Sequence, residues 1–441
     1  MTKALCGTIA AVVVAALCPE RAFAQAEPRP PVGAVFGSSA GASSAGRDKL
    51  TLTVDANESY DQNVAIRTGD TTLSLFQTNG FYTVFTPSLE FSSSGDRLQT
   101  ALTAASNVRY YNDLHETVVT NHSVGAGLTF RLSPRTAVSF NQGFTYAPAL
   151  FYGLFATANT PTLGEVVPPA SNYALNTERS YASATSAGLT RQLSSRATLS
   201  FASNVKYTKF MGGNSASYPD VNTRDVGGRL TYSLNRDLGL RLGYLFRQAQ
   251  YAGSPQSTEH DLDIGIEYKR PLSRTRKTAV AFTIGPTAAT APLITGASEV
   301  RRQYRLIGDA SLAHQMGRTW SLQGSYHRGL GYIEGLQTPV FTGAYSAAAG
   351  GYLNRRTDLS FSAAYSTGES ALTGSPSQFT TYTGTGRVRY AMGRMWAAYV
   401  DYVFYYYEFN RSLPLPVGVP SGLTRNGLRM GVMLWIPVKQ R

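Results

Sequence analysis

The chain has 441 residues, 43% of them hydrophobic, and 40 Lys and Arg against 27 Asp and Glu, for a net charge of +13. Beyond the N-terminus no stretch approaches 18 consecutive apolar residues, which excludes a helical membrane protein. Both cysteines, Cys6 and Cys18, lie in the first 24 residues, so the rest of the chain can form no disulfide, Cys-ligated zinc site or Cys nucleophile.

The opening reads as a secretory signal. Lys3 supplies a positive start, residues 4–18 a short apolar run, and Ala22-Phe23-Ala24 a cleavage site. Cleavage after Ala24 removes Lys3, Glu20 and Arg21, leaving a mature chain of about +12. Residues 25–47, rich in Pro, Ser, Ala and Gly, are expected to form a flexible periplasmic lead-in. Residues 48–441 then share one strand-and-turn grammar with no internal boundary, although the length alone would allow two or three soluble domains.

That grammar is a period of two. Leu238, Leu240, Leu242, Tyr244 and Phe246 alternate with Gly239, Arg241, Gly243 and Arg247, which places the two sets on opposite faces of a strand. Eighteen strands are predicted, over 48–60, 80–92, 97–111, 116–132, 135–146, 179–193, 197–211, 221–234, 237–251, 258–270, 277–287, 299–314, 319–330, 338–353, 357–368, 377–392, 395–409 and 424–438. Most exceed the roughly 9–11 residues that cross a bilayer at a tilt.

Connections alternate short and long. Two to four residues suffice at 93–96, 133–134, 194–196, 235–236, 273–276, 317–318, 354–356 and 393–394, whereas 61–79, 147–178, 288–298, 369–376 and 410–423 are long. Outer-membrane barrels have short periplasmic turns and longer outer loops. With both termini inside, every short turn falls on one side. The fold class is therefore all-β, a transmembrane antiparallel up-and-down β-barrel of about 18 strands. Arg97, Arg135, Arg196, Arg236, Arg276, Arg318, Arg356 and Arg394 sit in or beside the short turns. They serve either as ordinary polar turn residues or as a belt against anionic headgroups. Trp320, Trp396, Tyr110, Tyr402 and Tyr406 lie near strand ends, where aromatic girdles belong.

The first strand, Leu50-Thr-Leu-Thr-Val-Asp-Ala-Asn-Glu-Ser-Tyr60-Asp-Gln-Asn-Val64, carries alternating residues followed by Tyr-Asp-x-Asn. In this it resembles the β-barrel porin families of Gram-negative outer membranes, loosely the type found beside exopolysaccharide systems. Eighteen strands also match the alginate-export and sugar-specific porins, an analogy of fold only. The resemblance implies export through a cleaved signal peptide, insertion by the barrel-assembly machinery, and contact with outer-membrane lipids and lipopolysaccharide. One departure is the end: the last strand closes on Trp435-Ile436-Pro437-Val438 with a polar tail, Lys439-Gln440-Arg441, in place of a terminal aromatic.

Inside the barrel, parity nominates Lys206, Arg229, Arg241, Arg247, Arg301, Arg305, Arg387, Arg389, Arg425 and Arg429 as lumen bases. The lumen acids are Asp55, Glu90, Asp225, Asp261, Asp263, Glu267, Asp309 and Asp401. Arg241 and Arg247 are set to cancel against Asp261, Asp263 and Glu267 on the next strand. Arg387, Arg389, Arg425 and Arg429 face only Asp401 by this reading, so they form a candidate basic strip for anionic solutes. The competing reading is a hydrogen-bonded network that fills the lumen. In the 147–178 loop, Phe151, Tyr152, Leu154 and Phe155 are too apolar for a purely solvated segment. They form either a pore-narrowing fold or a self-packed outer hairpin.

No G-x-S-x-G, H-E-x-x-H or P-loop pattern occurs, and His115, His122, His260, His314 and His327 form no relay or metal spacing along the chain. The expectation is no enzyme, no cofactor and no metal. The basic charge is spread over turns and lumen, so no nucleic acid is expected as a partner. The function expected is a passive porin-like channel for small or anionic solutes. An exopolysaccharide export or surface-attachment barrel and a structural barrel without conductance stay open. The small-residue face of Gly343, Ala347, Ala349 and Gly351 is a candidate contact in a homo-oligomer.

Overall fold

A computed structural model describes residues 48–66, 76–111, 117–147, 180–211, 219–252, 256–271, 276–292, 300–317, 319–333, 336, 339–371, 379–410 and 421–440. They form 18 strands in one closed sheet. The strands are β1 (Asp48–Ile66), β2 (Phe76–Ser94), β3 (Leu98–Tyr111), β4 (Thr117–Ser133), β5 (Thr136–Ala147), β6 (Ser180–Gln192), β7 (Ala197–Phe210), β8 (Val221–Ser233) and β9 (Leu238–Tyr251). The second half comprises β10 (Ser257–Pro271), β11 (Arg276–Pro292), β12 (Val300–Met316), β13 (Trp320–Gly331), β14 (Val340–Tyr352), β15 (Thr357–Ser370), β16 (Phe379–Ala391), β17 (Trp396–Phe409) and β18 (Gly422–Gln440). Each strand pairs antiparallel with its neighbours in the chain, and β18 pairs with β1, so the sheet has no free edge.

The strand count, order and side of every turn follow the alternation in the sequence. Several strand limits shift, in three places with consequences. Most of the predicted 61–79 loop is strand, because β1 and β2 stay paired out to Ile66 and Phe76 past an irregularity after Asp61. β11 continues to Pro292, and its ladder with β12 runs out to Val300. At the end of the chain, Lys439 and Gln440 pair with Leu50 and Lys49, so the polar tail is the last rung of the closing seam.

The two faces differ as period two requires. On β9, Leu240, Leu242 and Tyr244 are exposed, and Gly239, Arg241 and Gly243 between them are buried. The same inversion of a soluble protein recurs around the cylinder, with Val226, Ile264 and Met430 each more than half exposed on the outside. So much contiguous apolar exterior is stable against hydrocarbon, not against water. Five outward tyrosines, Tyr326, Tyr345, Tyr365, Tyr382 and Tyr406, sit in register on β13–β17 with successive ring centroids 4.6, 6.2, 4.8 and 5.8 Å apart. They form a girdle toward the end of the barrel that carries the long loops, here the loop end; the opposite end is the turn end. An arginine placed on the apolar face midway along a strand should be costly. Leu242→Arg is expected to lower stability in lipid vesicles by about 2–4 kcal/mol, and Leu242→Phe to leave it near wild type, as read by urea titration.

Candidate functional site

The lumen wall formed by β15–β18 and β1–β3 is organised in rows by the strand register. Arg387, Asp401, Arg429, Ser59, Tyr82 and Tyr111 stand opposite one another on β16, β17, β18, β1, β2 and β3. Arg387 grips Asp401 with two bonds, Nε to Oδ1 at 2.6 Å and Nη2 to Oδ2 at 2.5 Å, and lies over the Tyr399 ring. Arg389 makes a similar fork to Asp358 of β15. Arg425 donates to the Tyr405 hydroxyl at 2.9 Å and, through Nη2, to Asp61, which also accepts from Tyr82 at 2.7 Å. Two-pronged guanidinium–carboxylate bonds are the strong, orienting kind.

Glycines make this crowding feasible. A side chain on Gly427 would land on Asp61 Oδ1, and one on Gly431 would meet Tyr399, whose hydroxyl reaches past β18 to donate to Asp55 Oδ1 at 2.6 Å. Gly427→Ala should therefore displace the Asp61–Arg425 pair and lower the urea midpoint in vesicles. Gly384→Ala, whose Cβ would come no nearer than 3.9 Å to anything but its own neighbours, should leave it unchanged.

All four arginines of the predicted basic strip thus face the lumen on one wall. The structure adds partners that chain order does not reveal. Asp358 and Asp61 join Asp401, so three of the four guanidiniums hold a carboxylate, while Asp55 takes the Tyr399 hydroxyl. Arg429 differs: its Nε is buried without a hydrogen-bond partner, and no carboxylate among the described residues lies within ion-pair distance of it. Across the barrel, β9 stands nine strands from β18, half the circumference of 18. There Arg247 bonds Glu259 at 2.9 Å and Arg241 lies 3.5 Å from Glu267, pairs that adjacent strands bring together.

A second feature narrows the loop end. The β12–β13 ladder stops at Gly308 opposite Arg328, while β12 continues to Val300 paired with β11 alone. Beyond Arg328 the tip of the β13–β14 hairpin leaves the wall and turns into the lumen. Arg247, on the far side of the gap, donates to the Leu330 carbonyl at 3.2 Å, and Tyr332 lies 6.4 Å from the Tyr251 ring. One side of the tip carries Ile333, Leu336 and Val340 into a buried cluster with Phe379, Val403, Tyr405, Tyr407, Phe409 and Leu423 of β16–β18, joined by Phe210 of β7. The other side sets Leu330 and Phe341 against Ala289, Ala371 and Ile307. Because β7 lies opposite β16, this cluster is an apolar bridge across the mouth. Between the tip and the β5–β10 wall remains a cavity of about 490 Å³.

The predicted narrowing segment with Phe151, Tyr152, Leu154 and Phe155 lies outside the described residues. The β13–β14 connection was not among the long loops expected to narrow the pore. Its signal was present: Gly329 and Gly331 flank Leu330, and Tyr332, Ile333, Leu336, Val340 and Phe341 are apolar where a solvated loop is polar. Register places His327 opposite Asp309, and Nδ1 and Oδ1 meet at 2.6 Å in the lumen. His122, His260 and His314 each bond a neighbouring-strand hydroxyl on the outer face, from Ser106, Tyr244 and Thr278.

No protein-family model matches the chain, and no curated protein sequence matches it. Among solved structures, the chain is similar to Pseudomonas aeruginosa OpdL, with a TM-score of 0.44 at 11% identity over 89% of this chain and 99% of that one. It is similar to Acinetobacter baumannii OccAB3, with 0.44 at 10% identity over 88% and 99%. Likeness to P. aeruginosa OccK2 (OpdF), crystallised in complex with glucuronate, is of the same order, 0.44 at 10% identity over 89% and 98%. The closed 18-stranded cylinder rests on its own strand pairing and not on these likenesses.

Proposed function

We propose that the chain is an outer-membrane channel for small polar solutes, narrowed at its outer mouth by the β13–β14 tip. One observation carries this reading. The exterior is apolar all round, while the lumen is lined with charged and hydroxylic side chains and keeps open volume under the tip. A barrel with greasy outside and polar inside conducts wherever the lumen is not filled. In this reading the loop end faces outward, where the tyrosine girdle meets lipopolysaccharide, and the arginine-bearing turns face the periplasm.

Arg429 is the group on the arginine wall best placed to meet a solute anion, because its three companions already hold carboxylates. Export of a polysaccharide chain is disfavoured, since an apolar bridge crosses the mouth that the chain would have to thread. The test is conductance of the purified, heat-modifiable barrel in planar bilayers. Discrete small steps are expected, and Arg429→Gln should lower the anion-to-cation permeability ratio at zero current. A folded barrel that gives no steps would exclude the channel reading, and an unchanged ratio would remove Arg429 from it.

A further inference from the structure

The cavity under the hairpin tip is rich in carboxyl groups. Its ionisable lining is Asp225, Glu259, Asp261, Asp263 and Asp309 against Arg229, Arg247 and Arg328, so carboxyl groups outnumber guanidiniums by two. The excess gathers on β10, whose alternate residues 259, 261 and 263 point inward. Glu259 is 1% exposed; its Oε2 accepts from Arg247, while Oε1 is buried with no hydrogen-bond partner. Asp261, at 8% exposure, has an orphaned Oδ1, and Asp263 an orphaned Oδ2. Gly243 makes the room for this arrangement, because a Cβ there would collide with the Asp263 carboxyl.

Buried carboxylate oxygens without donors are costly, and a cation or N–H donor placed against them recovers that cost. The spacing selects the kind of cation. Alternate Cα atoms on a strand lie roughly 6.5–7 Å apart, so the row is extended. A calcium ion needs about 6–8 oxygens at 2.3–2.6 Å. Among the described residues no group of three His, Cys, Asp or Glu is placed to hold a metal. An ammonium or guanidinium, with several N–H donors spread over a few ångströms, matches a row of acceptors.

We infer that Glu259, Asp261 and Asp263 form a subsite for the ammonium or guanidinium group of a small organic cation entering the lumen. The inference rests on the channel reading above and names one class of solute for it. β10 stands eight strands from β18 in a sheet of 18, so the subsite and Arg429 lie on different walls of the lumen.

Agmatine, which carries an amine and a guanidinium and no acid, is the probe. Calorimetric titration into the full-length processed barrel in detergent should show saturable binding. Glu259→Gln and Asp261→Asn should weaken it at least tenfold, and Asp263→Asn, at the less buried end of the row, should weaken it less. Heat modifiability on gels selects the variants that have folded, and Asp263→Asn keeps the test alive if the two more buried changes do not. Current block by agmatine in planar bilayers is the second reading and should weaken in the same order. Absence of binding, or binding unaffected by these variants, overturns the subsite, as does tight Ca²⁺ binding that agmatine does not displace. Carboxylate-dependent binding to a barrel without conductance would keep the subsite and refute the channel. Conductance with carboxylate-independent binding would do the reverse.

Discussion

Leu336→Asp is expected to raise single-channel conductance several-fold. Leu336 is 0% exposed, and with Ile333 and Val340 it ties the hairpin tip to Phe379, Tyr405, Tyr407 and Phe409. An aspartate there would bury a charge with no partner, at a cost of several kcal/mol. The cylinder does not depend on the tip, since 18 antiparallel ladders close it independently. The cheapest relief is for the tip to swing out of the mouth, against the Arg247 bond to the Leu330 carbonyl and the packing of Leu330 and Phe341 on Ala289 and Ala371. Larger conductance steps and passage of larger neutral sugars, with heat modifiability retained, are the expected readings. Unchanged conductance would show that the bridge does not limit flow.

Arg425→Met should be the most destabilising single change on the arginine wall. Arg425 and Asp61 are each 2% exposed, and Asp61 also takes the Tyr82 hydroxyl. Removing the guanidinium leaves a buried carboxylate facing tyrosines, which typically costs about 3–5 kcal/mol. The double variant Asp61→Asn with Arg425→Met removes both charges, and much of the loss should return, because a buried pair contributes far less than its halves cost when separated. Urea unfolding in vesicles reads both. Equal losses in the single and double variants would mean that Arg425 acts by packing on the Tyr405 ring rather than by charge.

Much of the cylinder was legible in the sequence because a strand side chain has only two directions. Leu242 out and Arg241 in follows from counting by two, and the short turns then give the order of strands. What lies opposite what does not follow from counting. Asp358 is 31 residues from Arg389, and Asp61 is 364 from Arg425. Their pairing depends on the stagger between strands and, for Asp61, on closure of β18 onto β1. From the chain the basic strip therefore faced only Asp401, although three of its four members each hold a carboxylate. The inward tip escaped for a different reason. Alternation says which face a residue takes only while its strand stays in the wall, and β13 leaves the wall after Arg328. The glycines around Leu330 were the local mark of that departure.

Which face of the strands meets hydrocarbon separates a membrane barrel from a soluble one. Single cysteines at Leu240, Arg241, Leu242, Gly243 and Tyr244, placed in residues 25–441, which contain none of their own, can carry spin labels into lipid vesicles. Power saturation should then alternate residue by residue: oxygen-accessible at 240, 242 and 244, and accessible to a water-soluble nickel complex at 241 and 243. Uniform access of the nickel complex to all five positions would contradict a lipid-embedded barrel.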